Sequence, residues 1–99
     1  MFARVSEITA PVDQVERAID GFKQQVVPAV RGMNGFSRAY LLVDRSSGKS
    51  LAITVWESEE AMRASEDAAT QLRSSVVADV SASDVAVSRY EVAVSEPMS

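Results

Sequence analysis

The hydrophobic spacing of this chain changes period in a fixed order, and that order restricts the fold more than any single residue does. Phe2 to Thr9 alternates loosely, with Ala3 and Val5 on one side and Arg4 and Ser6 on the other, the period of a strand. Pro11 suits a first helical position, where its missing N–H costs nothing, and Asp13 and Glu16 place negative charge at the positive end of a helix. Val12, Val15, Ile19, Phe22, Val26 and Val30 follow at spacings of three and four, one apolar stripe running to about Arg31. Pro28 removes a donor and crowds the preceding turn, which predicts a kink or a rebuilt turn there. Gly32 and Gly35 bracket a turn. Phe36 to Asp44 and Ser50 to Trp56 read as strands joined by the turn residues Arg45 to Lys49, a hairpin. Ser58 is a helix N-cap with Glu59 and Glu60 in the first turn, and the helical pattern continues to about Val80 with a break at Asp67 or Thr70. Ala61, Met62, Ala69, Leu72, Val76 and Val80 form its sheet-facing side. Asp84 to Val94 alternates again as a last strand.

The order βαββαβ predicts an α+β fold, a ferredoxin-like antiparallel sheet in which right-handed crossovers put both helices on one face. The strands are apolar on both sides: Ala39, Leu41 and Val43 against Tyr40 and Leu42, and Ala52 and Trp56 against Leu51, Ile53 and Val55. A one-sided sheet would be polar on its open face. A bare apolar face would exceed the few hundred square ångströms that a monomer tolerates, so the expectation is a two-fold homodimer through that open face. Residues 1–95 are read as one domain and 96–99 as a flexible tail.

Absent residues exclude chemistry. Without Cys there are no disulfides, thiolate nucleophiles or Cys-type zinc sites; without His the commonest metal ligand and the usual base near neutral pH are missing. Glu59, Glu60, Glu66 and Asp67 have no His or Cys to complete a metal site and are read as a solvated helix surface, so no metal is expected. A net charge of -4 with no basic run offers no footprint for nucleic acid or an anionic membrane. Met1-Phe2-Ala3-Arg4 begins neither a signal peptide's apolar run nor a span of about 20 apolar residues, which gives the cytoplasm as the expected compartment.

The remaining side chains with chemical potential are few. Trp56 offers a flat wall for an aromatic ligand, or plain packing. Tyr40 and Tyr90 can hydrogen-bond a substrate oxygen, and a nearby Arg would favour the ionised phenol; as rim or interface residues they would do neither. Arg38 and Arg89 lie inside strands, where an unsolvated guanidinium needs a carboxylate such as Glu91 or an anionic ligand. Hairpin register decides whether Arg38 and Tyr40 share a face with Trp56. Asn34 is a turn residue for backbone reasons.

Thr54-Val55-Trp56-Glu57-Ser58-Glu59-Glu60-Ala61 resembles the strand-to-helix junction of the antibiotic biosynthesis monooxygenase family of dimeric α/β barrels, in which a Trp ends the third strand and Glu-Ser opens the next helix. Pro28 through Tyr40 is similar to that family's helix end, turn and second strand, with Asn34-Gly35-Phe36 where Pro-Gly-Phe is common. The resemblance covers nearly the whole chain. It implies a pocket between helices and sheet that binds a flat aromatic substrate, with Trp56 matching the family's pocket Trp. Ser6 stands where the haem-degrading members carry an Asn, and the lack of His removes their axial imidazole, so haem degradation is not implied. A haem held by Tyr40 or Tyr90 would be the remaining form of that reading. The cofactor-free members let a deprotonated phenol or anthrone reduce O₂ directly, which needs neither His nor a cofactor.

The resemblance therefore implies a cofactor-independent monooxygenase acting on a small electron-rich aromatic, a polycyclic phenol or quinol. Ser6, Arg38, Tyr40, Trp56, Arg89 and Tyr90 are the substrate-binding candidates, and no residue is assigned as catalytic. The alternative is a non-catalytic dimeric small-ligand-binding or structural protein. Convergence of two or more of the six candidates on one cavity separates the two.

Overall fold

A computed structural model describes residues 1–97. They form a four-stranded antiparallel sheet with all helices packed on one face, the expected α+β ferredoxin-like order. The strands are β1 (Phe2–Thr9), β2 (Phe36–Val43), β3 (Lys49–Trp56) and β4 (Ser83–Glu91), arranged β2-β3-β1-β4. β4 stops at Glu91, short of the expected Val94, because β1 begins opposite it at Phe2; one further bond joins the Val92 N–H to the Met1 carbonyl. Of the expected tail, Met98 and Ser99 lie outside the described residues.

The first crossover is one continuous helical path of four pieces. A 3-10 turn (Val12–Gln14) leads into α1 (Val15–Gly21), a π turn (Phe22–Val26) and α2 (Val27–Arg31). Pro28 sits in the first turn of α2, where its missing N–H is harmless, and the distortion expected at Pro28 is taken up by the wider turn before it. Val15, Ala18, Phe22 and Val30 are buried. Val12, expected on the apolar stripe, is 55% exposed because the 3-10 turn twists it off that side.

Ser58 caps α3 (Glu59–Ala64) as its sequence predicts, its Oγ accepting the Ala61 N–H at 3.1 Å. The helix then breaks at Ser65, ahead of the expected Asp67 or Thr70, and resumes as α4 (Glu66–Val80). Two glycines are required by position. Gly35 has φ +79°, and a Cβ there would lie 2.5 Å from the Ala61 Cβ; Gly48 has φ +81° in the β2–β3 turn, where a Cβ would strike the Ala10 carbonyl. Among the described residues no helix is long and apolar enough to cross a membrane.

Candidate functional site

Register sorts the paired strand residues onto two faces, because directly paired residues project to the same side; the β2–β3 register shifts once, between Phe36 and Arg38. Phe2 pairs with Trp56, and Trp56 with Phe36, giving an aromatic row across the helix-facing side. The next row is Arg89, Arg4, Thr54 and Ala39; then come Val87, Ser6, Ala52 and Leu41, and finally Ile8, Ser50 and Val43. Large side chains fill the first row. At the centre of the third, Ser6 and Ala52 are small.

The helices cannot close over that third row, and a cavity of about 80 Å³, open to solvent, remains between sheet and helices. Its floor is Arg4, Ser6, Ile8, Leu41, Ser50, Ala52 and Thr54, and its roof comes from Phe22 and Val26 of the π turn with Leu72, Arg73 and Val76 of α4. The wide turn matters here, since Phe22 and Val26, four residues apart, both point down into the gap. Most of the lining surface is apolar, and its two charged groups, Arg4 and Arg73, meet with Ser6 where β1 faces α4.

Arg4 is 2% exposed and organises that corner. Its Nη2 donates to the Met62 carbonyl at 2.7 Å and to Ser65 Oγ at 2.7 Å, and lies 3.4 Å from Glu66. Ser65 Oγ in turn donates to the Met62 carbonyl at 2.6 Å. These bonds satisfy the carbonyl end of α3 at the helix break. The Arg4 guanidinium also lies 5.8 Å from the centre of the Trp56 ring, within cation–π range. Arg73 reaches the same corner from α4, its Nε donating to Ser6 Oγ at 3.2 Å. Arg89 holds Glu66 through two bonds of 2.6 and 2.8 Å.

The electrostatics follow from this crowding. Burial lowers the pKa of both Arg4 and Arg73, and Arg4 and Arg89 lower that of Arg73 further, but guanidinium groups remain charged at neutral pH. Glu66 falls to about 2, chiefly through its hydrogen bonds from Arg89, with Arg4 adding to the effect and burial opposing it. One carboxylate thus stands among three guanidinium groups. Arg4 Nε and Ser50 Oγ are buried without a hydrogen-bond partner among the described residues.

The six sequence candidates divide. Ser6 lines the cavity. Trp56, fully buried, lies beyond its end, packed with Val30 and Met62 and edge-on to Phe36; its indole N–H donates to Thr54 Oγ1 at 3.0 Å, so it touches the cavity through Thr54 and Arg4. Arg89 is on the helix-facing side at the edge strand, and its partner is Glu66, where Glu91 was expected. Glu66 is correspondingly no free solvated carboxylate. Arg38, Tyr40 and Tyr90 project from the opposite face, Arg38 donating to Tyr40 Oη at 3.3 Å. Sequence reasoning passed over Arg4 and Arg73. The available signal for Arg4 was its place two residues before Ser6 on the same side of β1; for Arg73 it was one turn from Ala69 and three residues from Val76 on the sheet side of the helix.

Comparison with known proteins bears on both fold and family. The family model described as antibiotic biosynthesis monooxygenase matches residues 1–74. The uncharacterized protein Rv2557 of Mycobacterium tuberculosis is 30% identical over 90 residues, which are 91% of this chain and 40% of that protein. Rv2558 of the same organism is 37% identical over 73 residues, 74% of this chain and 31% of that protein. The chain thus spans well under half the length of these relatives. Among solved structures, a monooxygenase of Streptomyces coelicolor in complex with nanaomycin D superposes with a TM-score of 0.77 at 15% identity, covering 99% of this chain and 92% of that one. A cofactor-independent oxygenase of Streptomyces nogalater gives 0.73 at 18% identity, covering 98% and 97%. The heme-degrader MhuD of Mycobacterium tuberculosis, solved with two hemes bound, gives 0.73 at 21% identity, covering 96% and 98%.

The cavity does not fit a haem. It presents no imidazole, thiolate, thioether or phenol to ligate iron, and Tyr40 and Tyr90 lie across the sheet from it. Its volume is about half the roughly 150 Å³ that an apolar cavity offers a single benzene ring.

Proposed function

Since the chain belongs to the antibiotic biosynthesis monooxygenase family, we propose that it is a cofactor-independent monooxygenase whose substrate, a small electron-rich phenol or quinol, binds in the cavity between helices and sheet. The observation that carries this reading is the pairing of Arg4 and Arg73 at the polar corner of an otherwise apolar cavity. A substrate oxygen placed there would share its negative charge with two guanidinium groups, which favours the phenolate. That anion is the electron-rich species able to reduce O₂ directly. In the balanced reaction a ring C–H of the phenolate is replaced by a C–O bond and that carbon becomes a quinone carbonyl; one atom of O₂ enters the product, and the other leaves as water with the ring hydrogen and the phenolic hydrogen.

The polarising role falls to Arg4 and Arg73 in place of Arg38, Tyr40 and Tyr90, with Ser6 holding Arg73. No lining residue titrates near neutral pH, so the substrate's own ionisation sets the pH dependence, and rate rises with pH through the substrate's lowered pKa. Cavity size favours the smallest substrates. Arg38, Tyr40 and Tyr90 belong instead to a face that also carries Leu42, Leu51 and Ile53, and a second copy of the chain covering that face accounts for an exposed Tyr90, Leu42 and Tyr40.

Oxygen uptake with the single-ring quinol hydroquinone and with the larger 1,4-naphthohydroquinone, alongside thermal shift, tests the proposal. A ligand at 100 times its Kd raises stability by about 2.7 kcal/mol, a readily measured shift. Uptake matched to product formation and reduced in Arg73→Gln is the expected result. Saturable binding with no uptake would sink the enzyme reading and favour the non-catalytic ligand-binding protein, which the lack of any proton acceptor in the lining also supports.

A further inference from the structure

We propose that the corner formed by Arg4, Arg73 and Ser6 is a carboxylate site, and that the cavity also takes a small monocarboxylic acid, of one ring at most, which enters acid group first and competes there with the phenolic substrate. This deepens the reading of the cavity as the ligand site and does not depend on turnover.

Charge is the first argument. Arg4 and Arg89 share Glu66, whereas Arg73, half-buried and on the cavity wall, has no carboxylate within ion-pair distance among the described residues. Its contact there is a neutral hydroxyl, Ser6 Oγ at 3.2 Å. A guanidinium drawn out of water toward two others is compensated by an anion, and a carboxylate matches its planar fork. Vacant hydrogen-bonding capacity is the second argument. Arg4 Nη2 is committed to the Ser65 corner, but its Nε is buried without a partner among the described residues, and Arg4 lines the cavity. Buried donors in a folded protein are normally satisfied, which makes unpaired ones on a cavity wall candidates for ligand contacts.

The third argument separates a carboxylate from a phenol. The lining has no base to take a proton, and Glu66 is held ionised at about 2 by its arginines. A carboxylic acid arrives already charged at neutral pH. Beyond the corner, Phe22, Val26, Leu72 and Val76 offer only apolar contact, and the volume limits the body of the ligand to roughly one ring partly projecting from the mouth.

The test uses the intact chain and its single Trp. Trp56 stacks within reach of Arg4, so ligation of the corner changes its emission, and calorimetry supplies an independent affinity. Benzoate is compared with benzamide, a neutral molecule of the same shape. Benzoate should bind at least about tenfold more tightly, the scale of one charge-assisted hydrogen bond. Arg73→Gln should bring benzoate to the benzamide level, Arg73→Lys should restore part of the difference, and Arg38→Gln on the far face should leave it unchanged. Equal binding of the two probes, or binding of neither, overturns the carboxylate site, and so does an Arg73→Gln protein that keeps the preference. The wild-type ratio decides even if a variant fails to fold. Oxygen uptake with neutral quinols is scored separately, so loss of the carboxylate preference and loss of turnover are distinguishable.

Discussion

The two ends of the helix-facing sheet surface are built from the same strands, yet one is solid and the other hollow. At the solid end Phe2, Trp56 and Phe36 lie side by side under Val30 and Met62, and Trp56 is wholly enclosed. Four residues along β1 and β3 the corresponding row is Ser6 and Ala52, and the helices span a gap. β1 and β3 pair in unbroken register through both places. On these two strands the difference is side-chain volume, and it teaches that the cavity floor is written into the sheet as an omission of bulk, while Arg4, in the row between, belongs to both ends.

The largest effect should come from breaking the solid end. Trp56→Ala removes a fully buried indole and should cost about 3–5 kcal/mol by urea denaturation; an effect under 1 kcal/mol would mean that Trp56 is a pocket wall after all. Arg4→Met attacks the row between the ends. It leaves the Met62 carbonyl without its guanidinium donor, and a loss of about 1–3 kcal/mol is expected, with weaker ligand binding besides.

Glu66→Gln probes the charges with a definite sign. The Glu66 pKa is depressed in the folded state to about 2, so its contribution is fully present above the unfolded-state pKa near 4.5 and is lost as pH falls toward 2. Melting temperatures of wild type and Glu66→Gln should therefore differ most above pH 5 and converge near pH 2. A constant gap over that range would remove the ion pairs as its cause. Smallest in stability is Ala52→Leu, which fills the hollow end. It should shift stability by less than about 1.5 kcal/mol in either direction, since added bulk meets empty space, and should abolish ligand binding while leaving the Trp56 end undisturbed.

Much of the fold was legible because it is coded locally. The strand periods, the Ser58 cap and the Trp56-Glu57-Ser58 junction each depend on residues within a few positions of one another. The first helix was harder at Pro28, since its distortion moved upstream into a π turn whose register depends on where Phe22 and Val26 pack. The site was less legible. Alternation in β1 separated Arg4 and Ser6 from Ala3 and Val5 but did not say which pair would meet the helices, and the polar pair does. Arg38 and Tyr40 carried the right chemistry for a pocket, but register turned them away from Trp56's face. The helix break expected at Asp67 or Thr70 falls at Ser65, whose Oγ accepts a bond from Arg4, 61 residues away in sequence and so outside any local pattern.

That separation also concerns time. A helix corner that needs a side chain from the first strand cannot be finished by its own segment, however good the Ser58 cap. The Met62–Ser65 corner closes only once β1 lies in the sheet between β3 and β4. Contacts of such long range bear their loop-closure cost before they return any stability. Arg4 therefore ties the α3–α4 corner to the first strand, so that this corner is complete only in the assembled sheet.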